Sequence, residues 1–144
     1  MKRNRILLIV FTFLCVFAAF AFNSNQNATD VIKKVSSALQ IGNSQEIAKY
    51  FTKTVELEIM GDEDFYSTSQ AEIMLKDFFE KNKPSKFVVN HQGVKDASSF
   101  AIGTLTIKNG TLRVSFFMKT EKNQTLIHQF RIEQNDEGVN SNLF

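Results

Sequence analysis

The chain has 144 residues, of which 43% are hydrophobic and 22% are charged, and it contains one cysteine. Its formal net charge of +2 comes from the first five residues, so the remainder has neither a positive balance nor the Lys/Arg cluster of a nucleic-acid-binding protein. We therefore exclude that class. We expect one domain stabilised by a packed core rather than by disulfides.

The amino terminus has the pattern of an export signal. Residues 1–5 are basic, residues 6–17 are apolar apart from Thr12, and Ala19 and Ala21 supply the small side chains that a signal peptidase requires. We predict a signal peptide over residues 1–21 and a periplasmic or secreted mature protein that begins after Ala21. The alternative is an uncleaved anchor, because residues 6–22 reach the lower end of the roughly 17 to 25 residues that span a bilayer.

Cleavage after Ala21 changes the composition of the protein. It leaves 123 residues, and the loss of Lys2, Arg3 and Arg5 leaves 14 basic against 15 acidic side chains. Cys15 is also removed, so no thiol remains for disulfides or metal ligation. Eleven phenylalanines remain to form the core.

Residues 22–28 are polar and are interpreted as a tether to a domain over residues 29–135. Thr29 or Asp30 is expected to cap a first helix, whose apolar side recurs with helical spacing. Gly42 is expected to end this helix, and Asn43 to begin a short second one. The apolar side of the first helix consists of Val31, Val35, Ala38 and Leu39.

The next segment alternates between strand and helix patterns. Residues 54–60 alternate apolar and polar side chains and predict a strand, and Phe65 and Tyr66 indicate a short second one. Ser69 and Glu72 have the spacing of a capping box before a long helix, which Pro84 is expected to stop. The apolar stripe of this helix comprises Ala71, Met74, Leu75, Phe78 and Phe79.

Four strands are then predicted over residues 87–92, 99–108, 111–119 and 125–133, followed by a tail over residues 136–144. Asn109-Gly110 predicts a type I′ hairpin, in which Lys108 pairs with Thr111. This register places Phe117 opposite Ile102 on the outer face and Phe116 on the inner face. Continued alternation places Leu126 and His128 on the inner face of the last strand.

This order of helices and strands resembles the nuclear-transport-factor-two-like superfamily, an α+β cone with a helical hairpin and one long helix on a curved antiparallel sheet. Several short motifs are similar to a family of small exported bacterial proteins of unknown function. The resemblance implies fold and export but no activity, because enzymes, binding modules and scaffolds share this fold. The motifs are Tyr66-Ser67 before Gln70-Ala71-Glu72, Leu75-Lys76-Asp77-Phe78-Phe79, His91-Gln92-Gly93, Ala101-Ile102-Gly103-Thr104-Leu105 and Arg131-Ile132-Glu133.

Four residues are candidates for a pocket inside the cone. His128, and by alternation with Phe87 also His91, are predicted to face inward, next to Phe116, while Tyr66 offers a phenolic donor. Neither histidine has an inward carboxylate partner in the predicted register, so we assign no catalytic residue. Two histidines on separate strands do not form a metal motif, and no cofactor is expected.

The outer face of the predicted sheet carries Phe100, Ile102 and Phe117, a contiguous apolar group that is typical of an interface. We therefore expect a homodimer or a protein partner on the sheet, or a small apolar ligand in the cone, in an exported and non-catalytic domain. The alternatives are a cone-fold isomerase, dehydratase or hydrolase that uses a pocket histidine, and a structural envelope protein.

Overall fold

The structure is a computed structural model that describes residues 27–136. The predicted signal peptide, the alternative anchor, residues 22–26 of the tether and residues 137–144 of the tail lie outside the described residues. Within the described part, no helix has the length and apolar character needed to cross a membrane.

Three helices and six strands make up the described chain. They are α1 (Ala28–Ile41), α2 (Ser44–Ala48), β1 (Phe51–Ile59), β2 (Asp62–Ser67), α3 (Thr68–Lys81), β3 (Pro84–Lys95), β4 (Ser98–Ile107), β5 (Gly110–Glu121) and β6 (Gln124–Gln134).

The caps of α1 follow the predicted pattern with a small shift. The Asn27 side chain accepts a hydrogen bond from the backbone N–H of Asp30 at 2.8 Å, so the cap precedes the predicted Thr29 or Asp30, and the helix begins inside the predicted tether. Gly42 ends the helix as predicted, with φ of 68° in the left-handed region that glycine adopts without strain. The apolar side is buried as expected: Val31, Val35, Ala38 and Leu39.

The long helix α3 has the predicted apolar face but an earlier start. Ser67 and Gln70 form its capping box, two residues before the predicted Ser69 and Glu72, because the hydroxyl that accepts from the third helical N–H belongs to Ser67. The predicted stripe packs against the sheet: Ala71, Leu75, Phe78 and Phe79 are buried, and Met74 is partly buried.

The six strands form one sheet in the order β2-β1-β6-β5-β4-β3. All neighbouring pairs are antiparallel except β1 and β6, which run parallel. The curved, mostly antiparallel sheet agrees with the prediction, which did not include this one parallel pair. The parallel pair arises because the chain leaves β2 through α3, forms β3, β4 and β5, and returns to β1 from its other side.

The helices cover one face of the sheet, the inner face, and phenylalanines fill the space between them. Phe116 and Phe130 are fully buried and stacked, with ring centroids 6.0 Å apart, and Phe51 packs edge-on against Phe130 at 5.7 Å. Phe78 and Phe79 contribute a second edge-on pair from α3. The inner face is therefore a packed aromatic and aliphatic core.

The opposite side of the sheet, the open face, carries mostly half-buried and exposed side chains, with Ser115 buried among them. Its central row runs across the sheet through Glu58, Arg131, Ser115, Ile102 and His91, which are register partners on neighbouring strands. No described helix packs on this face.

The predicted turn between β4 and β5 is wrong by one residue. Ile107 pairs with Gly110, so Lys108 and Asn109 form the loop. Gly110 is the first residue of β5 and has φ of 141°, a value that only glycine adopts readily. Because Gly110 belongs to the strand, the two-residue loop begins one residue earlier than predicted. The pairing shifts by two residues, so each side chain keeps its predicted face, but Phe117 pairs with Phe100 rather than Ile102.

The left-handed two-residue turn lies instead between β5 and β6. Glu121 pairs with Gln124, and the loop residues Lys122 and Asn123 have φ of 51° and 62°. Both values are positive, as a type I′ hairpin requires. Met60 and Gly61 form a similar turn between β1 and β2, with φ of 55° and 95°.

Two β-bulges overturn the predicted inward positions of the histidines. In β6 the pairing passes from Gln129 directly to Ile127, so His128 is the extra residue; it is exposed, and Ile127 takes the buried position expected for it. In β3 the pairing passes from Val89 to His91, with Asn90 as the extra residue. Each bulge reverses the alternation beyond it, so His91 faces outward and Leu126 leaves the inner face.

Replacement of Phe78 by alanine tests the packing of α3. Because Phe78 is buried, we expect Phe78→Ala to lower the free energy of unfolding by about 3 to 5 kcal/mol in urea denaturation. Ile73 lies on the same helix but is 66% exposed, so Ile73→Ala should change it by less than about 0.5 kcal/mol. Equal losses in the two variants would contradict the packing of this helix.

Candidate functional site

The four pocket candidates are separated by the structure. Phe116 is fully buried and belongs to the core. Tyr66 is half-buried and packs against the edge of that core from β2. His128 is exposed on β6, and His91 is exposed on the open face. The four side chains therefore do not converge on one pocket inside the cone.

The three interface candidates do lie together on the open face, and they are called the aromatic patch here: Phe100, Ile102 and Phe117. The rings of Phe100 and Phe117 are stacked at 6.3 Å with an interplanar angle of 29°. The Phe100 ring also lies over Gly93 of β3, where a Cβ atom would come within 2.6 Å of Cε1. Gly93 thus leaves the room that the Phe100 ring occupies.

Beside the aromatic patch the open face has a depression of about 670 Å³, a volume typical of small-molecule sites. It is bounded on one side by the turn between β1 and β2 and on the other by the bulge of β3. Its lining includes Glu58, His91, Ile102, Thr104, Arg113 and Glu133.

A cluster of charged side chains on β1, β2 and β6 adjoins the depression. Arg131 donates to Glu63 at 2.9 Å and to Glu56 at 3.3 Å, and its other terminal nitrogen lies 3.3 Å from Glu58. Gln129 donates to Glu56 at 2.6 Å. One guanidinium therefore holds three carboxylates at the edge of the depression.

Two of these carboxyls, Glu56 and Glu63, contact each other, and their pKa values shift in opposite directions. A hydrogen bond with the Glu63 carboxyl lowers the pKa of Glu56, and the Gln129 amide and Arg131 act in the same direction. The same contact with Glu56 raises the pKa of Glu63. Partial burial opposes the charge of Arg131, but the surrounding carboxylates outweigh it and raise its pKa.

Sequence reasoning placed Glu56 and Glu58 on the wet face but missed the cluster. The alternating pattern of β1 was the available signal. The pairing of β1 with β6 was not predicted, so nothing brought Arg131 next to these carboxylates.

Neither His91 nor His128 forms a hydrogen bond with a carboxylate in residues 27–136, and the same part of the chain has no group of three or more His, Cys, Asp or Glu residues able to hold a metal ion. His91 lies in the depression without the partner that would orient a general base.

Three helices on the inner face of a curved six-stranded sheet, with an aromatic core and an uncovered outer face, define a nuclear-transport-factor-two-like domain. An NTF2-like protein of unknown function from Cytophaga hutchinsonii has a TM-score of 0.55 at 15% identity, with 74% of this chain and 88% of that chain covered. This likeness concerns the fold alone.

The family is narrower than the fold. Residues 32–133 match the model of DUF4783, a domain of unknown function, and the chain belongs to that family. A DUF4783 protein from Bacteroides ovatus is 45% identical, with a TM-score of 0.69 over 72% of this chain and 94% of that chain. One from Bacteroides uniformis is 40% identical, with a TM-score of 0.69 over 73% and 97%. No curated protein matches the chain.

Replacement of Arg131 tests the charge cluster through the pH dependence of stability. Folding lowers the pKa of Glu56, so this group stabilises the fold above its ordinary value of 4.5, and that stability is lost as the pH falls. Folding raises the pKa of Glu63, so its contribution is present at low pH and is lost as the pH rises.

Arg131 favours the ionised form of both carboxyls. Arg131→Gln should therefore lower the melting temperature more at pH 7 than at pH 4. Arg113→Gln is the matched control, because Arg113 lies on the same face without an ion pair to another described residue, and its effect should not depend on pH in this way. If Arg131→Gln lowered the melting temperature equally at both pH values, the proposed role of Arg131 in the charge cluster would be contradicted.

Proposed function

We propose that the protein is an exported, non-catalytic binding domain whose open face binds a second copy of the chain through the aromatic patch. The observation that carries this proposal is the stacked pair of Phe100 and Phe117, which lies with Ile102 on a sheet face that no described helix covers. Half-buried aromatic rings at the centre of a surface are typical of interface anchors.

The packing of the inner face favours this surface over a ligand inside the cone. A cone that binds a small molecule needs an opening between the helices and the sheet. Here Phe116 and Phe130 are fully buried at that position and Phe51 packs against them. The space that a ligand would need is filled by side chains.

The distribution of charge supports a second copy as the partner. At the edge formed by β1 and β2, the open face carries Glu56, Glu58 and Glu63, which outnumber their single cation, Arg131. At the β3 edge it carries Lys86 and Lys95, which pair in register with outward residues of β4. A two-fold axis parallel to the strands places the acidic edge of one copy against the basic edge of the other, as a self-complementary interface requires.

The enzymatic alternative depends on His91. A general base needs a proton acceptor or donor within hydrogen-bond reach to set its tautomer, and His91 forms no such bond in the described chain. No specific observation therefore favours an isomerase, dehydratase or hydrolase. A purely structural envelope protein needs no partner on the open face. That alternative predicts a monomer in which this face stays accessible to solvent.

Replacement of Phe117 tests the proposed dimer. Phe117→Ser should shift sedimentation from dimer to monomer and leave the circular-dichroism spectrum unchanged, because the side chain contributes to the interface and not to the core. Ile41→Ser is the matched control, since Ile41 is 71% exposed on the helical side and its replacement should leave the dimer intact.

A second variant disturbs the aromatic patch without replacing either phenylalanine. Gly93→Ala places a Cβ within 2.6 Å of the Phe100 ring, which must move, so dimerisation should weaken. A wild-type protein that is monomeric at high micromolar concentration contradicts the dimer.

The export signal gives a further prediction. The basic, apolar and small-residue segments occur in the order that signal peptidase recognises, so intact-mass measurement of protein from the cell envelope or medium should give a chain that begins near Phe22. An Ala19→Leu, Ala21→Leu double variant should accumulate uncleaved. Full-length wild-type chain recovered only from membranes would favour the anchor.

A further inference from the structure

The depression on the open face contains more charge than the protein itself neutralises. Glu58, Glu133 and Asp136 line it together with a single guanidinium, that of Arg113. Glu58 already belongs to the cluster around Arg131 and its side chain is only 13% exposed. The remaining lining charges, those of Arg113, Glu133 and Asp136, form no ion pair within the described residues.

Arg113 and Glu133 are the central pair of this arrangement. They are register partners on β5 and β6, and both side chains line the depression. Neither forms an ion pair with the other or with any further residue between 27 and 136, whereas Arg131, two residues from Glu133, contacts three carboxylates. The sheet thus presents one positive and one negative group side by side, and neither is in an ion pair within residues 27–136, although the Glu133 carboxylate acts through space to raise the pKa of Arg131.

The bulge in β3 builds the opposite wall. It turns His91 toward the open face, and Asn90, the extra residue, also lines the depression. The Thr104 hydroxyl donates to the Asn90 side-chain oxygen at 3.4 Å, which directs the amide group and leaves its N–H donors available. Bulges often serve to re-aim side chains at binding sites.

We propose that the depression binds a free α-amino acid with an apolar side chain. Its carboxylate pairs with Arg113, whose planar fork suits this group, and its ammonium pairs with Glu133 and Asp136. Its side chain lies along Ile102 toward the aromatic patch.

The charges of the lining select this class of ligand over simpler ions. A simple anion meets the carboxylates of Glu133 and Asp136 and is repelled, while a simple cation leaves Arg113 unpaired beside it. A zwitterion satisfies both groups at once. The inference rests on the depression and not on the proposed dimer, but both use Ile102 and Glu58, so leucine and a second copy of the chain compete for this part of the open face.

Calorimetric titration of the full mature chain with L-leucine tests the proposal, with two analogues as probes. Leucinamide lacks the carboxylate and N-acetyl-leucine lacks the ammonium. Leucine should bind at least about tenfold more tightly than either analogue, because each loses one charge-assisted hydrogen-bonded contact. Arg113→Gln should weaken leucine binding by a similar factor, and so should Glu133→Gln.

Control variants keep the test independent of folding. Glu121→Gln changes a carboxylate remote from the depression and should leave leucine binding unchanged. Arg113→Lys retains the charge but loses the fork, so it should bind leucine with an affinity between wild type and Arg113→Gln.

Three results overturn the proposal: no saturable leucine binding at about 10 mM, equal affinity for leucine and both analogues, or binding that Arg113→Gln and Glu133→Gln leave unchanged. The measurement can be repeated on Phe117→Ser, so failure of amino-acid binding is distinguishable from failure of the dimer.

Discussion

The stacking of Phe116 on Phe130, with Phe51 edge-on against them, is the contact on which the rest of the structure depends. These rings come from three strands that lie together at the middle of the sheet, and they fix which face of β1, β5 and β6 is buried. The helices then complete the core with their own apolar sides. These rings fill the space between the helices and the sheet, and the open face on the other side carries both apolar and charged groups.

The two β-bulges decide which polar side chains reach that surface. Each adds one residue to a strand, and since side chains alternate with a period of two, everything beyond the bulge changes face. In β6 this sends His128 outward and keeps Ile127 in the core. In β3 it places His91 and Asn90 around the depression. The bulges thus add His91 and Asn90 to a face whose other polar side chains follow from regular alternation along the strands.

The sequence predicts best what depends on local periodicity. The stripe from Ala71 to Phe79 repeats with helical spacing and is buried as expected, and Gly42 ends α1 as expected. The predicted inward positions of the histidines were wrong because a one-residue bulge leaves no mark in the apolar pattern. The predicted Asn109-Gly110 turn was wrong because Gly110 is the first residue of β5. The Arg131 cluster joins three strands distant in sequence, so finding it required the strand order, which the apolar pattern does not contain.

Hydroxyl-radical footprinting of the mature protein at two concentrations tests the central claim, that the core face is filled and the open face binds. At high micromolar concentration, oxidation of Phe100 and Phe117 should fall relative to a dilute sample, while that of Ile73 on the helical side stays constant. Phe116 and Phe130 should resist oxidation at both concentrations. Oxidation of Phe100 and Phe117 that is independent of concentration, together with ready oxidation of Phe116, would contradict the account.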